Sequence, residues 1–486
     1  MRNPTPFFHS FRHLLFGKAP RQFHRTLKKR LHAATSLGEL REAFGAMIPD
    51  AFLSPAEAGE NSRERIYTPL ITFWAFMAQV LSPHVSCREA VRKVQAWRGL
   101  AQVIEISKAT SAYCQARARL CLHVLRDIHE HLKSRIERNI PEAALWLGRA
   151  VKIVDGTNLS MPDTAANQKL WPQPSSQKQG CGFPMMKLAA LFSLGSGALL
   201  DFATGNLHNH EGQLFRRLWD RLQPGDVILT DRGFCSYFAI ACLLARGVDS
   251  VMRLHHARRI DFGKGKALGK GDTLLCWKKP SQRGAGSSRE EFDALPGELA
   301  LRLVTLQVDI KGFRSKAIVI VTTLLDPVAY PAEAIRELYF ERWSVELHFR
   351  EIKTLLGMDI LSCLSPRMIE REVWLHVIGY NLVRALMQEA AVIHHVELGR
   401  ISFKGTLDTL RHYADAVHAL TGRPRKQAAL IAAMLKAIAR DPLPLRAHRS
   451  EPRAKKRRAK NYHLLTKPRK AMCVPSHRNR PKPALS

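Results

Sequence analysis

Two aspartates stand where a chain of alternating strands and helices builds its sites. Asp155 closes the apolar run Val151-Lys-Ile-Val and is followed by Gly156-Thr157, while Asp231 closes Asp226-Val-Ile-Leu-Thr and is followed by Arg232-Gly233. In an open α/β sheet, ligands settle at strand ends beside such turns. A carboxylate at a half-buried edge needs a guanidinium or a metal beside it, because an unpaired charge away from water is costly. Taken alone, either aspartate also reads as a polar stop to its strand. The third acid, Glu346, has company. Counting from Tyr339, it shares one predicted helix with Arg342 and Lys353 at offsets of 3, 7 and 14 residues for Arg342, Glu346 and Lys353. At about 100° per residue the four fall within a stripe of roughly 60°.

That stripe reads either as an ion-paired surface or as one wall of a semi-enclosed site, since Leu338, Trp343, Val345, Leu347, Phe349 and Ile352 flank it. A phenol, a guanidinium and an ammonium donate to phosphate, and one carboxylate among them suits phosphoryl transfer. Two magnesium ions roughly 4 Å apart activate an attacking oxygen and stabilise a leaving one. Magnesium takes few protein ligands, all of them oxygen, so two aspartates and one glutamate suffice. Zinc chemistry has little to stand on: the nine cysteines are scattered without a C-x-x-C pair. The triplet His208-Asn209-His210 spells HNH, but its residues are consecutive, whereas nuclease motifs of that name spread them over a loop and a helix.

Charge points the same way. Lys and Arg number 75 against 42 Asp and Glu, a net +33, and each phosphate neutralised by such a surface releases a bound counterion. A ribosome-associated or membrane-surface protein is the other class this charge admits. An odd, dispersed set of cysteines fits a reducing cytosol rather than a disulfide framework. The longest strongly apolar stretch, Leu70 to Leu81, is too short to span a bilayer. Residues 1–38 carry no acid, and 446–486 include the run RAKKRRAK from Arg453 to Lys460; both read as basic tails for non-specific DNA contact.

The elements that must position these residues follow from periodicity. Residues 39–145 read as helical, with apolar positions at Leu70, Phe73, Trp74, Met77 and Leu81, then at Ala90, Val91, Val94 and Trp97. A short helix from Ser111 to Leu120, with Thr110 and Ser111 as candidate caps, carries Gln115, Arg117 and Arg119. Its polar face is either an ordinary solvated surface or a base reader of the helix-turn-helix kind. From 146 to 255 the order is three strands, helix, strand, helix, strand, the last strand running Ser250 to Leu254, with Gly195-Ser-Gly197 as a hairpin turn. This is the order of a ribonuclease-H-like α/β layer. Residues 256–328 interrupt it as an inserted β subdomain, 329–400 return to it in long helices, and 401–445 form a helical C-terminal region.

The run Tyr339-x2-Arg342-x3-Glu346-x6-Lys353 resembles the Y-R-E-K signature of the insertion-sequence-four family of DDE transposases. Asp155-Gly-Thr, Asp231-Arg-Gly-Phe, Val321-Thr-Thr-Leu-Leu-Asp-Pro327 and Asn381-Leu-Val-Arg384 extend the resemblance over roughly 65–395. It implies a ribonuclease-H-like catalytic core with a β insertion ahead of the glutamate, and two Mg2+ ions, replaceable by Mn2+, on Asp155, Asp231 and Glu346. Tyr339, Arg342, Lys353 and Arg232 are then expected on DNA, and Trp277, in Asp272-x4-Trp277-Lys-Lys-Pro280, on a base flipped out near the element's end. The implied activity is cut-and-paste transposition of an insertion sequence in the bacterial cytoplasm, at the nucleoid: a nick at a terminal inverted repeat, a hairpin, its opening, and strand transfer into target DNA by a homodimer. Rival readings are a structure-specific nuclease on the same fold, a transposase-derived DNA-binding protein without catalysis, and a basic scaffold acting through its tails.

Overall fold

Apolar side chains at every third or fourth position wind Pro69–Leu81 into helix α1, which buries Phe73, Trp74, Met77 and Leu81. Thr68 starts it, its hydroxyl accepting from the Ile71 N–H, and Pro69 occupies the first turn, where a missing N–H costs nothing. Helices α2 (Cys87–Leu100), α3 (Ser111–Arg119) and α4 (Leu122–Arg138) follow. The computed structural model describes residues 44, 47–53, 66–82, 85–100, 106–255, 264–284, 287–307, 317–420, 423–443, 465–468 and 471. The two basic ends, 1–38 and 446–486, lie outside these apart from 465–468 and 471.

The chain divides into two compact units, one comprising Met1–Arg135 with Trp374–Pro444 and the other Ile136–Val373 with Leu445–Ser486. The first is helical. The second is built on a sheet whose strands are β1 (Val151–Ser160), β2 (Met185–Ser193), β3 (Leu199–Gly205), β4 (Val227–Thr230), β5 (Asp249–Arg253), β6 (Lys266–Gly269), β7 (Asp272–Lys278), β8 (Glu298–Gln307) and β9 (Ala317–Thr322). Its helices are α5 (Ala165–Leu170), α6 (Glu211–Arg216), α7 (Tyr237–Leu244) and α8 (Arg289–Asp293). Then come α9 (Ala332–Glu341), α10 (Ser344–Arg350) and the long α11 (Pro366–His394), whose residues from Trp374 on belong to the helical unit, as do α12 (Phe403–Ala419) and α13 (Pro424–Ala439).

The sheet runs β3-β2-β1-β4-β5-β9-β8-β7-β6. β1 pairs antiparallel with β2 and parallel with β4, which pairs parallel with β5; this five-strand order is ribonuclease-H-like. The β2–β3 hairpin turns at Gly197, whose φ of 68° is left-handed and suits glycine. All four residues of β4 are buried, as expected of a parallel strand covered on both faces.

The described strands of 256–328, the segment expected as an inserted β subdomain, join the core sheet: β9 pairs antiparallel with β5 from Val251↔Thr322 to Arg253↔Ile320, and β8, β7 and β6 continue outward. Without β9, β5 would be an edge with unpaired N–H and C=O groups. The catalytic core's later part was drawn to residue 400, but the division falls between Val373 and Trp374, inside α11.

Candidate active site

β1 and β4 lie side by side and parallel, with Ile153 opposite Leu229. Two residues on come Asp155, in mid-strand because β1 runs on to Ser160 and is not closed by the aspartate as its sequence suggests, and Asp231, just past the end of β4, so the two lie level on neighbouring strands. Asp155 Oδ1 accepts from the Gly156 N–H at 2.7 Å, and its Oδ2 sits 3.7 Å from Arg342 Nη1. Burial raises its carboxyl to about 6; the Gly156 N–H and Arg342 pull it down, while Asp231 and Glu211 repel the charge and push it up.

Helices α9 and α10 bring the basic partners. Tyr339 is 2% exposed; burial lifts its phenol, with Arg342 acting downward and Asp231 upward. Arg342 is buried too, its guanidinium 5.3 Å from the Trp343 ring and 5.9 Å from the Tyr339 ring, the geometry of a cation–π contact. Its Nε finds no acceptor among the described residues. Lys353 Nζ donates to Thr157 Oγ1 at 2.8 Å, which ties the end of the signature to the Asp155-Gly-Thr stretch of β1. Asp155 and Thr157 share one face of β1 because strand side chains alternate, so Arg342 and Lys353 approach from that side.

Glu346 behaves differently. Its helix packs beside β1, and its neighbours His348 and Phe349 meet Phe192 at 5.2 and 5.4 Å between ring centres, yet Glu346 itself is exposed. Among the described residues, no three His, Cys, Asp or Glu side chains are grouped to hold a metal. Two of the three expected acids are thus together and the third stands apart. The single-helix stripe fails for a local reason. The amides of Arg342, Trp343, Val345 and Glu346 each bond three residues back, a tighter winding that turns about 20° further per residue than an α-helix. Beyond Arg350 the helix loosens into a π turn at Glu351–Leu355. The stripe is spread, with Tyr339 and Arg342 inside and Glu346 outside.

The expected base reader also needs correcting. Gln115 and Arg119 are exposed on α3, but Arg117 turns inward. It is 4% exposed, its guanidinium 3.7 Å over the Phe76 ring and donating to Cys87 Sγ at 3.1 Å. A flat guanidinium exchanges water for an aromatic face readily, so Arg117 holds the helices together and leaves the polar face. Thr110 precedes α3 without a side-chain cap bond. Arg232 is exposed beside Asp231. Trp277 is half-buried on β7, its ring edge-on to Tyr237 at 5.7 Å. The HNH triplet builds a turn: Asn209 Oδ1 accepts from the Asn206 N–H, and His210 caps α6.

Sequence reading missed Glu211 and Arg253. Arg253 ends β5 and acts on the Tyr339 phenol. Glu211 follows His210, and the helix start marked by the His210–Gln213 capping box was the signal that placed it beside the strand ends.

The donors at this strand end are all oxygen, two or three carboxylates crowd one another, and one is held well above its ordinary range. That set fits a hard divalent cation, with Asp155 and Asp231 as the residues to hold it.

In this ribonuclease-H-like sheet Asp155, in the middle of β1, and Asp231, just past β4, are faced by the helical segment that carries Arg342 and Lys353. Residues 146–382 match the model of the family described as the transposase DDE domain. It is 28% identical over 285 residues to the transposase InsG for insertion sequence element IS4 of Escherichia coli K12, covering 58% of this chain and 62% of that protein. It is 25% identical over 269 residues to the transposase for insertion sequence element IS421 of Escherichia coli, covering 50% of this chain and 67% of that one. The chain thus spans about three fifths of the length of InsG. Among solved structures, a piggyBac transposase synaptic complex with hairpin DNA aligns over 87% of this chain and 86% of its own at 11% identity and a TM-score of 0.40, a likeness too loose to bear on the site. Among the described residues no helix is long and apolar enough to cross a membrane.

Proposed function

We propose that this chain is a DNA transposase that cuts and rejoins the ends of an insertion sequence. The observation that carries the reading is that Asp155 and Asp231 lie level on the adjacent strands β1 and β4 with the Arg342 guanidinium 3.7 Å from Asp155. Asp155 and Asp231 would hold the divalent ions, Mg2+ or Mn2+, which supply Lewis-acid activation of the reacting oxygens when bound. Glu346 completes the set once DNA draws α10 inward, since α10 already packs beside β1. Arg342, with a buried donor still unmet, grips a phosphate near the cut, and Lys353 adds a point charge from the Thr157 side. The net charge of +33 supplies the long-range attraction to duplex DNA.

In this reading the substrates are terminal inverted repeats and then target DNA, and the order is nick, hairpin, hairpin opening and strand transfer. Two copies pair the two ends. Trp277 stacks on a flipped base, and Gln115, Arg119 and Arg232 contact DNA. The family relationship and the +33 charge support these roles. A second reading, a DNA-binding protein without catalysis, is favoured by one feature, the outward Glu346.

One experiment separates them. A supercoiled plasmid carrying the element's own ends is incubated with the full chain, with and without Mg2+. Metal-dependent nicking at the ends, lost in Asp231→Asn while a gel shift persists, is expected. Binding without nicking in the unaltered chain overturns the catalytic reading.

A further inference from the structure

The last two helices of the helical unit, α12 and α13, carry their charge differently. On α12, Lys404 and Arg411 both pair with Asp408, and Arg411 also donates to the Leu81 carbonyl. Helix α13 contains no acid: it reads PRKQAALIAAMLKAIA, and Arg440 follows it. It buries Met434, Leu435, Ile438 and Ala439 and packs on α12. Its opposite face is open. Arg425, Lys426, Ala429, Ala432, Lys436 and Arg440 are exposed there. The four cations among them make no ion pair or side-chain hydrogen bond with any described residue.

Helical phase gathers this face. At about 100° per residue, Arg425, Ala429, Ala432, Lys436 and Arg440 fall within a stripe of roughly 80°, with Lys426 at its edge. Along the axis, Arg425 stands about 16 Å from Lys436 and about 22 Å from Arg440, and the stripe between the two ends is alanine. Folding does not account for the cations. Arg425 and Lys426 occupy the first turn, which holds no acid, where the helix dipole favours negative side chains. Like charges on one face also repel one another. A polyanion relieves both costs, whereas a second copy would bring the same positive charge to the same face.

We infer that the outward face of α13 is a surface for the DNA backbone: its cations seat on phosphates of a duplex, and the alanines let the helix lie close to it. The inference rests on the transposase reading above and adds to it a contact in the helical unit. With alanines in the middle and flexible cations at the ends, the face positions a duplex and does not read its bases.

The test is fluorescence anisotropy of the full chain on two labelled duplexes, one carrying the element's ends and one of unrelated sequence, over a series of salt concentrations. Circular dichroism confirms folding. Arg425→Ala with Lys436→Ala removes two charges and places a good helix former at both positions. This double variant is expected to bind both duplexes about tenfold more weakly at low salt, by the same factor, and to lower the salt slope by about 2. Lys133→Ala with Lys404→Ala removes the same charge from cations already paired with Glu130 and Asp408, and should leave binding nearly unchanged. Equal losses in the two double variants would mean that net charge alone acts, and the inference fails. It fails too, with the transposase reading standing, if the α13 variant binds DNA as the unaltered chain does. A variant that shifts the sedimentation of the free chain while keeping its DNA affinity would assign the face to a second copy instead. An unaltered chain that binds neither duplex overturns both.

Discussion

Two aspartate–arginine pairs sit in the same sheet and do opposite things. Arg302 and Asp272 join β8 to β7 through two short bonds, Nε to Oδ1 at 2.8 Å and Nη2 to Oδ2 at 2.6 Å, and Nη1 donates to the Tyr330 carbonyl at 2.7 Å. Arg302 is wholly buried. The pair is bidentate and closed. Asp155 and Arg342 stand 3.7 Å apart, with no second bond between them, an arginine donor unmet and more carboxylates close by. Burial of charge costs several kcal/mol per ion unless geometry is saturated. The first pair meets that condition and serves the fold; the second leaves it open, so a cation and a phosphate have something to complete.

The contrast breaks if substitutions at the two pairs have like effects. Arg302→Ala leaves Asp272 charged and buried, and should destabilise the folded chain by roughly 3–5 kcal/mol, seen as a loss of soluble protein or a sharply lower melting temperature. Arg342→Ala, whose partner Asp155 is 3.7 Å away and keeps 26% of its side chain exposed, should destabilise the chain less than Arg302→Ala does and instead weaken complexes with end-containing DNA.

Asp155→Asn should reduce strand cleavage by a factor on the order of 10³, measured as nicking rate at saturating Mg2+. The same variant should be more stable than the parent when metal is absent. Because the Asp155 carboxyl titrates near 6 in the folded chain against 3.8 ordinarily, its ionised form is penalised above pH 6 and the penalty is gone below about pH 4. A gain of roughly 1–2 kcal/mol at pH 7.5, fading as the pH falls through 6 to 4, is expected after discounting for partial exposure. A loss of stability at pH 7.5 would mean that Arg342 outweighs burial.

Smaller effects sharpen the picture. Lys353→Ala should lower DNA affinity and reduce the salt slope by about one charge; an unchanged slope would confine Lys353 to its Thr157 bond. Trp277→Ala should slow hairpin formation more than the first nick, by the loss of about 1–3 kcal/mol of stacking, and equal slowing of both steps would remove the stacking role.

The sheet was largely legible because apolar runs of strand length end in polar residues: β1, β4 and β5 begin within a residue of where Val151, Asp226 and Ser250 place them. The aspartates followed from those ends. What escaped was phase and pairing. A three-residue bond at Trp343 and a π turn after Arg350 cannot be heard in side-chain spacing, so Glu346 and Arg342 were expected on one stripe. Arg117 looked like a solvated reader until Phe76, 41 residues earlier in the chain, supplied a ring to cover it. The pairing of β9 with β5 had no signal in the sequence, since strand pairing across β5 depends on which edge stands unsatisfied.

The central claim is that Asp155, Asp231 and Glu346 meet around divalent cations when the ends of the element are bound. Anomalous scattering from Mn2+ in a crystal of the full chain with end-containing DNA tests this most directly. The account predicts a peak with oxygens of Asp155 and Asp231 about 2–2.4 Å away and Glu346 drawn into the same centre. A Glu346 carboxylate still more than about 10 Å from that pair, too far for one two-metal centre to bridge, or a peak elsewhere in the chain, would contradict it.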